Sequence, residues 1–105
     1  MTLHLHTVSR NKELYYATAE YSDGTITVLA NSKINLNHGE NFKKAGRFSE
    51  LLNNKALVDE YGVLKEDISF QSLSTAASFV TGRIANGMIV WKTEDNQYVR
   101  NILKG

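Results

Sequence analysis

Alternation of polar and apolar residues predicts β-strands in the first third of the chain. Residues 2–9 place leucines on one face and histidines on the other, and residues 14–22 and 25–30 alternate in the same way. Asp23-Gly24 stands between the last two of these runs. Such a pair is a strong hairpin signal, because both central residues of a type I′ turn need positive φ. The chain is therefore expected to begin with a strand and a hairpin.

The apolar spacing changes to three and four residues in two later segments, which predicts two helices. Residues 42–57 have an amphipathic pattern, in which Gly46 costs about 1 kcal/mol relative to alanine. In the second helix, Ser72 is expected to cap the N-terminus and Gly82 to end the last turn. Its single apolar stripe contains small residues, which indicates close packing on a sheet. The stripe consists of Leu73, Ala76, Ala77 and Val80.

Shorter segments complete the predicted order of elements. Strands are expected at residues 68–70 and 88–93, whereas residues 97–104 fit either a last strand or a short helix. Residues 31–41 and 83–87 contain the asparagine and glycine that are typical of loops. Helices are too few for regular alternation with strands. We therefore predict an α+β fold, with a small, mainly antiparallel sheet and its N-terminal hairpin region packed against two helices.

The composition is that of one ordinary globular domain. A chain of 105 residues has room for a single domain, spanning residues 1–105. The hydrophobic share of 42% and charged share of 22% exclude a fully disordered chain. Because there is no cysteine, disulfides, thiolate metal centres and cysteine nucleophiles are excluded. Without an apolar run of bilayer length or a signal peptide, a soluble cytoplasmic protein with no membrane partner is expected.

One segment resembles a known family. Residues 70–92, FQSLSTAASFVTGRIANGMIVWK, are similar to the hallmark of the DUF4357 family, in which an Ala-rich helix leads through Gly-Arg and Asn-Gly to Trp-Lys. The resemblance extends upstream over the hairpin and first helix, to about residues 14–100. Leu73 replaces the family's proline and Met88 replaces a frequent aromatic residue. A more distant similarity links the segment to the RAMA domains of restriction-associated adenine methylases.

This resemblance implies a recognition module rather than an enzyme. DUF4357 modules commonly occur as accessory segments of nucleases and restriction–modification proteins, and RAMA domains have been proposed to recognise DNA. No catalytic residues are established for the family. The resemblance therefore implies a non-catalytic domain without metal or cofactor, with DNA and a nuclease or methyltransferase as candidate partners.

Two groups of residues are candidates for nucleic-acid contact. The first lies in the loop and strand after the second helix and comprises Arg83, Asn86, Gly87, Trp91 and Lys92. There, arginine and asparagine would bind base edges or a phosphate, lysine a phosphate, and tryptophan a base face. The second is a locally basic stretch that comprises Lys43, Lys44 and Arg47.

Each candidate also has a structural interpretation. Trp91 and Ile89 lie two residues apart and so share one face of the predicted strand. The hydrophobic core is therefore the favoured location of the Trp91 ring. Arg83 suits the negative end of a helix dipole, and Asn86-Gly87 suits a turn with positive φ. For this loop both interpretations remain open. For the basic stretch, the solvated side of an amphipathic helix is favoured over a phosphate-binding face.

Other functional classes have weaker support. A protein-interaction or assembly module, with exposed strand edges that pair with a partner, suits the net charge of +1. A metal site on His4, His6 and His38 is disfavoured because no cysteine or spaced carboxylate motif accompanies them. Ser72 and Ser74 fit helix capping better than anion binding. A hydrolase is not supported, since no nucleophile-elbow, P-loop or zinc-protease motif is present.

Overall fold

The structure is a computed structural model, and it describes residues 1–8, 13–36 and 46–102. Within these ranges, the sheet has four strands in the order β1-β2-β3-β4, and all neighbours are antiparallel. The strands are β1 (Thr2–Val8), β2 (Leu14–Ser22), β3 (Thr25–Val28) and β4 (Ile68–Phe70). The helices are α1 (Gly46–Asn53) and α2 (Leu73–Thr81), followed by 3-10 helices at Gly87–Ile89 and Val99–Asn101. The predicted α+β fold is confirmed.

The hairpin between β2 and β3 forms where the sequence predicts it. Ser22 pairs with Thr25, and the two residues between them have positive φ, 51° at Asp23 and 81° at Gly24. Both central positions therefore have the backbone that a type I′ turn requires.

One face of the sheet forms the core, because alternate side chains of each strand point to the same side. The buried inner-face residues are Leu3, Leu5, Tyr15, Ala17, Ala19, Ile26, Val28, Ile68 and Phe70. Helix α2 contacts β2, β3 and β4 on this side. Helix α1 adds the Phe48 ring, which lies 6.3 Å from the Phe70 ring and 5.4 Å from the Phe79 ring. The aromatic cluster thus joins both helices to the edge strand.

Helix α2 has the predicted ends but is buried more completely than predicted. The Ser72 hydroxyl accepts the Thr75 backbone N–H, and Gly82 ends the helix at φ 76°, donating its N–H to the Ser78 carbonyl. The four residues of the predicted stripe are buried as expected, and Ser78, Phe79 and Thr81 are buried as well. The sheet covers one side of the helix and the following loop covers another.

The predicted strand at residues 88–93 is wrong. The chain forms a 3-10 helix at Gly87–Ile89, and within 88–93 only Lys92 makes a strand-like pairing, with His4 of β1 and with Tyr98. Trp91 is fully buried and its Nε1 donates to the Leu73 carbonyl, 3.0 Å away. This anchor turns the segment around the N-terminus of α2, so it cannot remain extended.

Two further predictions, for residues 97–104 and for the extent of the first helix, are tested in part by the described residues. For residues 97–104 the sequence allows a strand or a short helix. The structure has a short helix at Val99–Asn101, so the helix is confirmed for the part of this segment that ends at Ile102. The first helix ends at Asn53, earlier than the predicted residue 57, and residues 42–45 lie outside the described ranges. Among the described residues, no helix combines the length and apolarity needed to cross a membrane.

Candidate functional site

Single backbone pairings widen the sheet on both sides of the β1–β2 pair. Beside β1, His4 and Lys92 exchange two N–H···O bonds of 2.7 and 2.8 Å, and Tyr98 pairs with Lys92 in turn. Beside β2, Tyr16 and Lys33 exchange bonds of 2.7 and 3.0 Å. The outer face, opposite the core, therefore continues beyond β1 and β2.

Six side chains come together on this outer face, because residues paired across antiparallel strands point to the same side. The group consists of His4, His6, Tyr16, Lys33, Lys92 and Tyr98, and we refer to it as the outer-face cluster. Tyr16 and Tyr98 are 40% and 41% exposed, and His6 is also exposed. The other three are half-buried. Aromatic rings and ammonium groups thus share one solvent-facing surface.

Contacts within the cluster fix several of these groups. The Lys92 ammonium lies 4.7 Å from the centroid of the Tyr98 ring, within the range of a cation–π interaction. His6 lies opposite Tyr16, whose backbone groups bond to Lys33. His6 and Tyr16 therefore form a non-hydrogen-bonded pair, the type in which side chains approach most closely. His4 Nδ1 is 3.5 Å from the Thr18 hydroxyl.

A cleft of about 380 Å³ opens at one end of the cluster, between β1 and the chain that follows Trp91. Its lining consists of His4, His6, Val90, Lys92, Thr93, Glu94 and Asn96. The turn at its rim is held by Thr93, whose backbone N–H donates to Gln97 and whose carbonyl accepts from Asn96. The Glu94 carboxylate and the Asn96 amide make no hydrogen bond to any residue in the described ranges. Both groups remain open to a ligand.

The loop at residues 83–87 is fastened along α2 by three hydroxyl groups. The Ser74 hydroxyl accepts the Gly87 backbone N–H at 2.9 Å, and the Ser78 hydroxyl accepts the Ala85 N–H at 3.1 Å. The Thr81 hydroxyl lies within hydrogen-bond distance of two carbonyls, that of Ala77 at 2.9 Å and that of residue 83 at 3.1 Å. These hydroxyls are four and three residues apart, hence on one side of the helix. The loop therefore runs back along α2 from its C-terminal to its N-terminal end.

The structure does not bring Arg83, Asn86 and Lys92 into one cluster. Arg83 is exposed at the C-terminal end of α2, whereas Asn86 is exposed near the N-terminal end and its Oδ1 accepts the Met88 N–H. The nine residues of α2 span about 13 Å. Lys92 lies beside His4, in the outer-face cluster.

Trp91 and Gly87 are packing residues, which corrects their place among the candidates. The Trp91 ring is 0% exposed with its N–H bonded, so no base can stack on it. Gly87 is buried, and a Cβ at this position would overlap the backbone of Leu73. Neither Asn86 nor Gly87 has positive φ, so close approach rather than turn geometry requires the glycine.

The basic stretch is described only at Arg47, since Lys43 and Lys44 lie outside the described residues, as does His38. The Arg47 guanidinium lies 4.7 Å from the Phe70 ring centroid and donates to the Ser69 carbonyl. It therefore fastens α1 to the edge strand. Among the described residues, no three His, Asp or Glu side chains are placed to hold a metal ion.

Comparison with protein families identifies one match. The model of a family described as "Domain of unknown function (DUF4357)" matches residues 7–103. The matched range includes the whole outer-face cluster except His4 and His6. A search of curated proteins and a search of solved structures each found no match. The more distant similarity to RAMA domains is not supported by these comparisons.

Proposed function

Because the chain belongs to the DUF4357 family, which is described as having unknown function, we propose a function from the outer face itself. The domain is a non-catalytic recognition module that binds single-stranded nucleic acid, in particular DNA, on the outer-face cluster. The observation that carries this proposal is the alignment of two paired rows, His4–Lys92–Tyr98 and His6–Tyr16–Lys33, on one open sheet surface.

The chemistry of this surface suits unpaired bases. Every base has a π-face that can stack on an aromatic side chain, which contributes about 1–3 kcal/mol per base. Tyr16 and Tyr98 each expose about two-fifths of their surface on the same side of the sheet. Lys33 and Lys92 stand beside these rings and can contact the phosphates between stacked bases. A duplex would hide its base faces from such rings, so the surface favours single strands.

The net charge of +1 makes stacking the larger part of the expected affinity. Two lysine–phosphate contacts predict that the logarithm of the affinity falls with the logarithm of salt concentration with a slope of about −1.4, at about 0.7 per contact for a single strand. A role as an accessory domain of a nuclease or restriction–modification protein, which the family resemblance implies, is consistent with a ligand of this kind.

Fluorescence anisotropy with a labelled oligothymidylate tests the proposal. Tyr98→Ala is expected to weaken binding about 5- to 150-fold, which corresponds to the loss of one stacked base. Lys92→Ala is expected to reduce the salt slope by about 0.7. Tyr61→Ala and Lys55→Ala serve as controls, because both residues are exposed outside the cluster. Absence of binding at low salt, or equal losses in the controls, contradicts the proposal.

One observation favours a protein-interaction module as a second candidate. The backbone groups of Tyr16 bond to Lys33, so those of His6 point away from β2, and they have no partner within the described ranges. Next to this open edge, Val8 and Leu14 pair with each other and are 59% and 49% exposed. A partner strand could add to β1 here. Light scattering separates the candidates: a stable oligomer that does not bind oligonucleotide favours this one.

A further inference from the structure

We infer that the cleft between β1 and residues 90–96 is a base-recognition pocket that selects guanine within a single strand. This inference rests on the proposed function, since it assigns the base held at one end of the outer-face cluster. The juxtaposition that carries it is an open carboxylate and an open amide, from Glu94 and Asn96, beside the imidazoles of His4 and His6.

The size of the cleft suits one base. Its volume of about 380 Å³ lies near the lower end of the range for small-molecule pockets, about 300–1,000 Å³. His4, His6 and Val90 supply ring and apolar surface, and Lys92 supplies a positive charge at the boundary with the rest of the cluster. A base that enters the cleft thus meets stacking surface while its phosphate remains near an ammonium group.

The backbone of the rim turn is held by hydrogen bonds before a ligand arrives. The Thr93 backbone N–H donates to the Gln97 carbonyl at 2.8 Å, and the Asn96 N–H donates to the Thr93 carbonyl at 2.9 Å. Asn96 itself has φ 64°, a conformation that fixes the end of the turn. Because the turn is hydrogen-bonded internally, less backbone conformational entropy is lost when Glu94 binds a ligand.

Guanine is the base whose edge fits this set of groups best. Its N1–H and N2–H lie side by side, so the two oxygens of one carboxylate can accept both in a charge-assisted, bidentate contact. Adenine and cytosine offer only one exocyclic amine, and thymine offers a single N3–H. The Asn96 amide can donate to the guanine O6. In a duplex this edge is already paired, so recognition requires an unpaired guanine.

Anisotropy competition with a series of thymidine-rich oligonucleotides tests the inference. Each strand carries one central deoxyguanosine, deoxyadenosine, deoxycytidine or deoxyinosine, the last of which lacks the N2 amine. We expect the guanine strand to bind about 10-fold more tightly than the all-thymidine strand, as one bidentate contact predicts. Deoxyinosine should lose most of this preference. Glu94→Gln should abolish the preference, measured as the ratio of the affinities for the guanine and all-thymidine strands, whereas Glu66→Gln, an exposed carboxylate elsewhere, should keep that ratio.

The possible results separate this inference from the proposed function. Equal affinities for all the strands would overturn guanine selection and leave strand binding intact. A guanine preference that survives in Glu94→Gln would overturn the assignment of the carboxylate. Absence of binding to every strand would overturn both proposals. Circular dichroism of each variant shows that the comparison is made between folded proteins.

Discussion

At the residue scale, the junction between α2 and the chain after it depends on two core residues. Trp91 donates its indole N–H to the Leu73 carbonyl, and Gly87 packs directly on the Leu73 backbone. The Asn86-Gly87 and Trp91-Lys92 pairs, on which the resemblance to the family rests, therefore have a structural basis. They position Lys92 against β1, although Trp91 and Gly87 themselves are not exposed to a ligand.

Gly87→Ala tests this packing. The added Cβ would collide with backbone atoms of Leu73, which cannot move aside as a flexible side chain can. We expect a loss of about 3 kcal/mol or more in the free energy of unfolding, measured by urea denaturation. Gly24→Ala is the matched control, because a Cβ there meets no atom of the described residues within 4 Å. The free energy of unfolding of Gly24→Ala should fall by only about 1–2 kcal/mol, because an alanine is strained at the positive φ of 81°. Equal losses in the two variants would contradict the packing argument.

Asp59 is a residue whose charge couples the fold to pH. The backbone N–H of Val63 donates to its carboxylate, as does that of Tyr61, and these bonds hold the pKa of Asp59 below its ordinary value. The unfolded chain therefore binds a proton at higher pH than the folded chain does. The contribution of the Asp59 carboxylate to the free energy of unfolding is complete above the ordinary pKa of an aspartate, about 4. It is lost as the pH falls through the lower pKa of the folded protein.

Asp59→Asn is expected to flatten this acid dependence, because asparagine can accept the same bonds but does not titrate. Urea denaturation at several pH values between about 5 and 2 measures the effect. Asp23→Asn removes one exposed turn carboxylate and serves as the control. An unchanged pH dependence in Asp59→Asn would show that these backbone bonds do not favour the carboxylate.

At the element scale, the polar side of α2 explains why an otherwise buried helix carries hydroxyl groups. Ser74, Ser78 and Thr81 each bond to the loop that follows the helix. Ser78→Ala would leave the Ala85 N–H without its acceptor, at a cost of about 1–3 kcal/mol. It should also accelerate hydrogen exchange at the Ala85 amide. Thr75→Ala changes the exposed side of the same helix and should leave the Ala85 amide protected. Equal exchange rates of this amide in both variants would contradict the role of the Ser78 hydroxyl as its acceptor.

Local sequence patterns predict the elements that depend on local chemistry. Alternation and Asp23-Gly24 give the β2–β3 hairpin, and Ser72 and Gly82 give both ends of α2. The strand prediction for residues 88–93 is wrong because the position of this segment is set by the Trp91 indole, which bonds to the Leu73 carbonyl eighteen residues earlier in the chain. A contact over such a sequence distance leaves no periodic signal.

At the scale of the whole molecule, the candidate surface is assembled from distant parts of the chain. Alternation alone indicates that His4 and His6 share the outer face of β1. It does not indicate that Lys33, Lys92 and Tyr98 extend that face, because each joins through an isolated backbone pairing. The sequence alone groups Lys92 with Arg83 and Asn86. The structure places it with the histidines instead, so the tertiary pairing decides the composition of the site.

Binding of nucleic acid on the outer-face cluster is the proposal on which the other assignments depend. Its most direct test is titration of the ¹⁵N-labelled protein with an unlabelled single-stranded oligonucleotide, followed by amide chemical shifts. We predict that the shifted amides concentrate at His4, His6, Tyr16, Lys33, Lys92 and Tyr98, with Arg83 and Tyr61 unaffected. Shifts confined to the 83–86 loop, or no shifts at low salt, would contradict the claim.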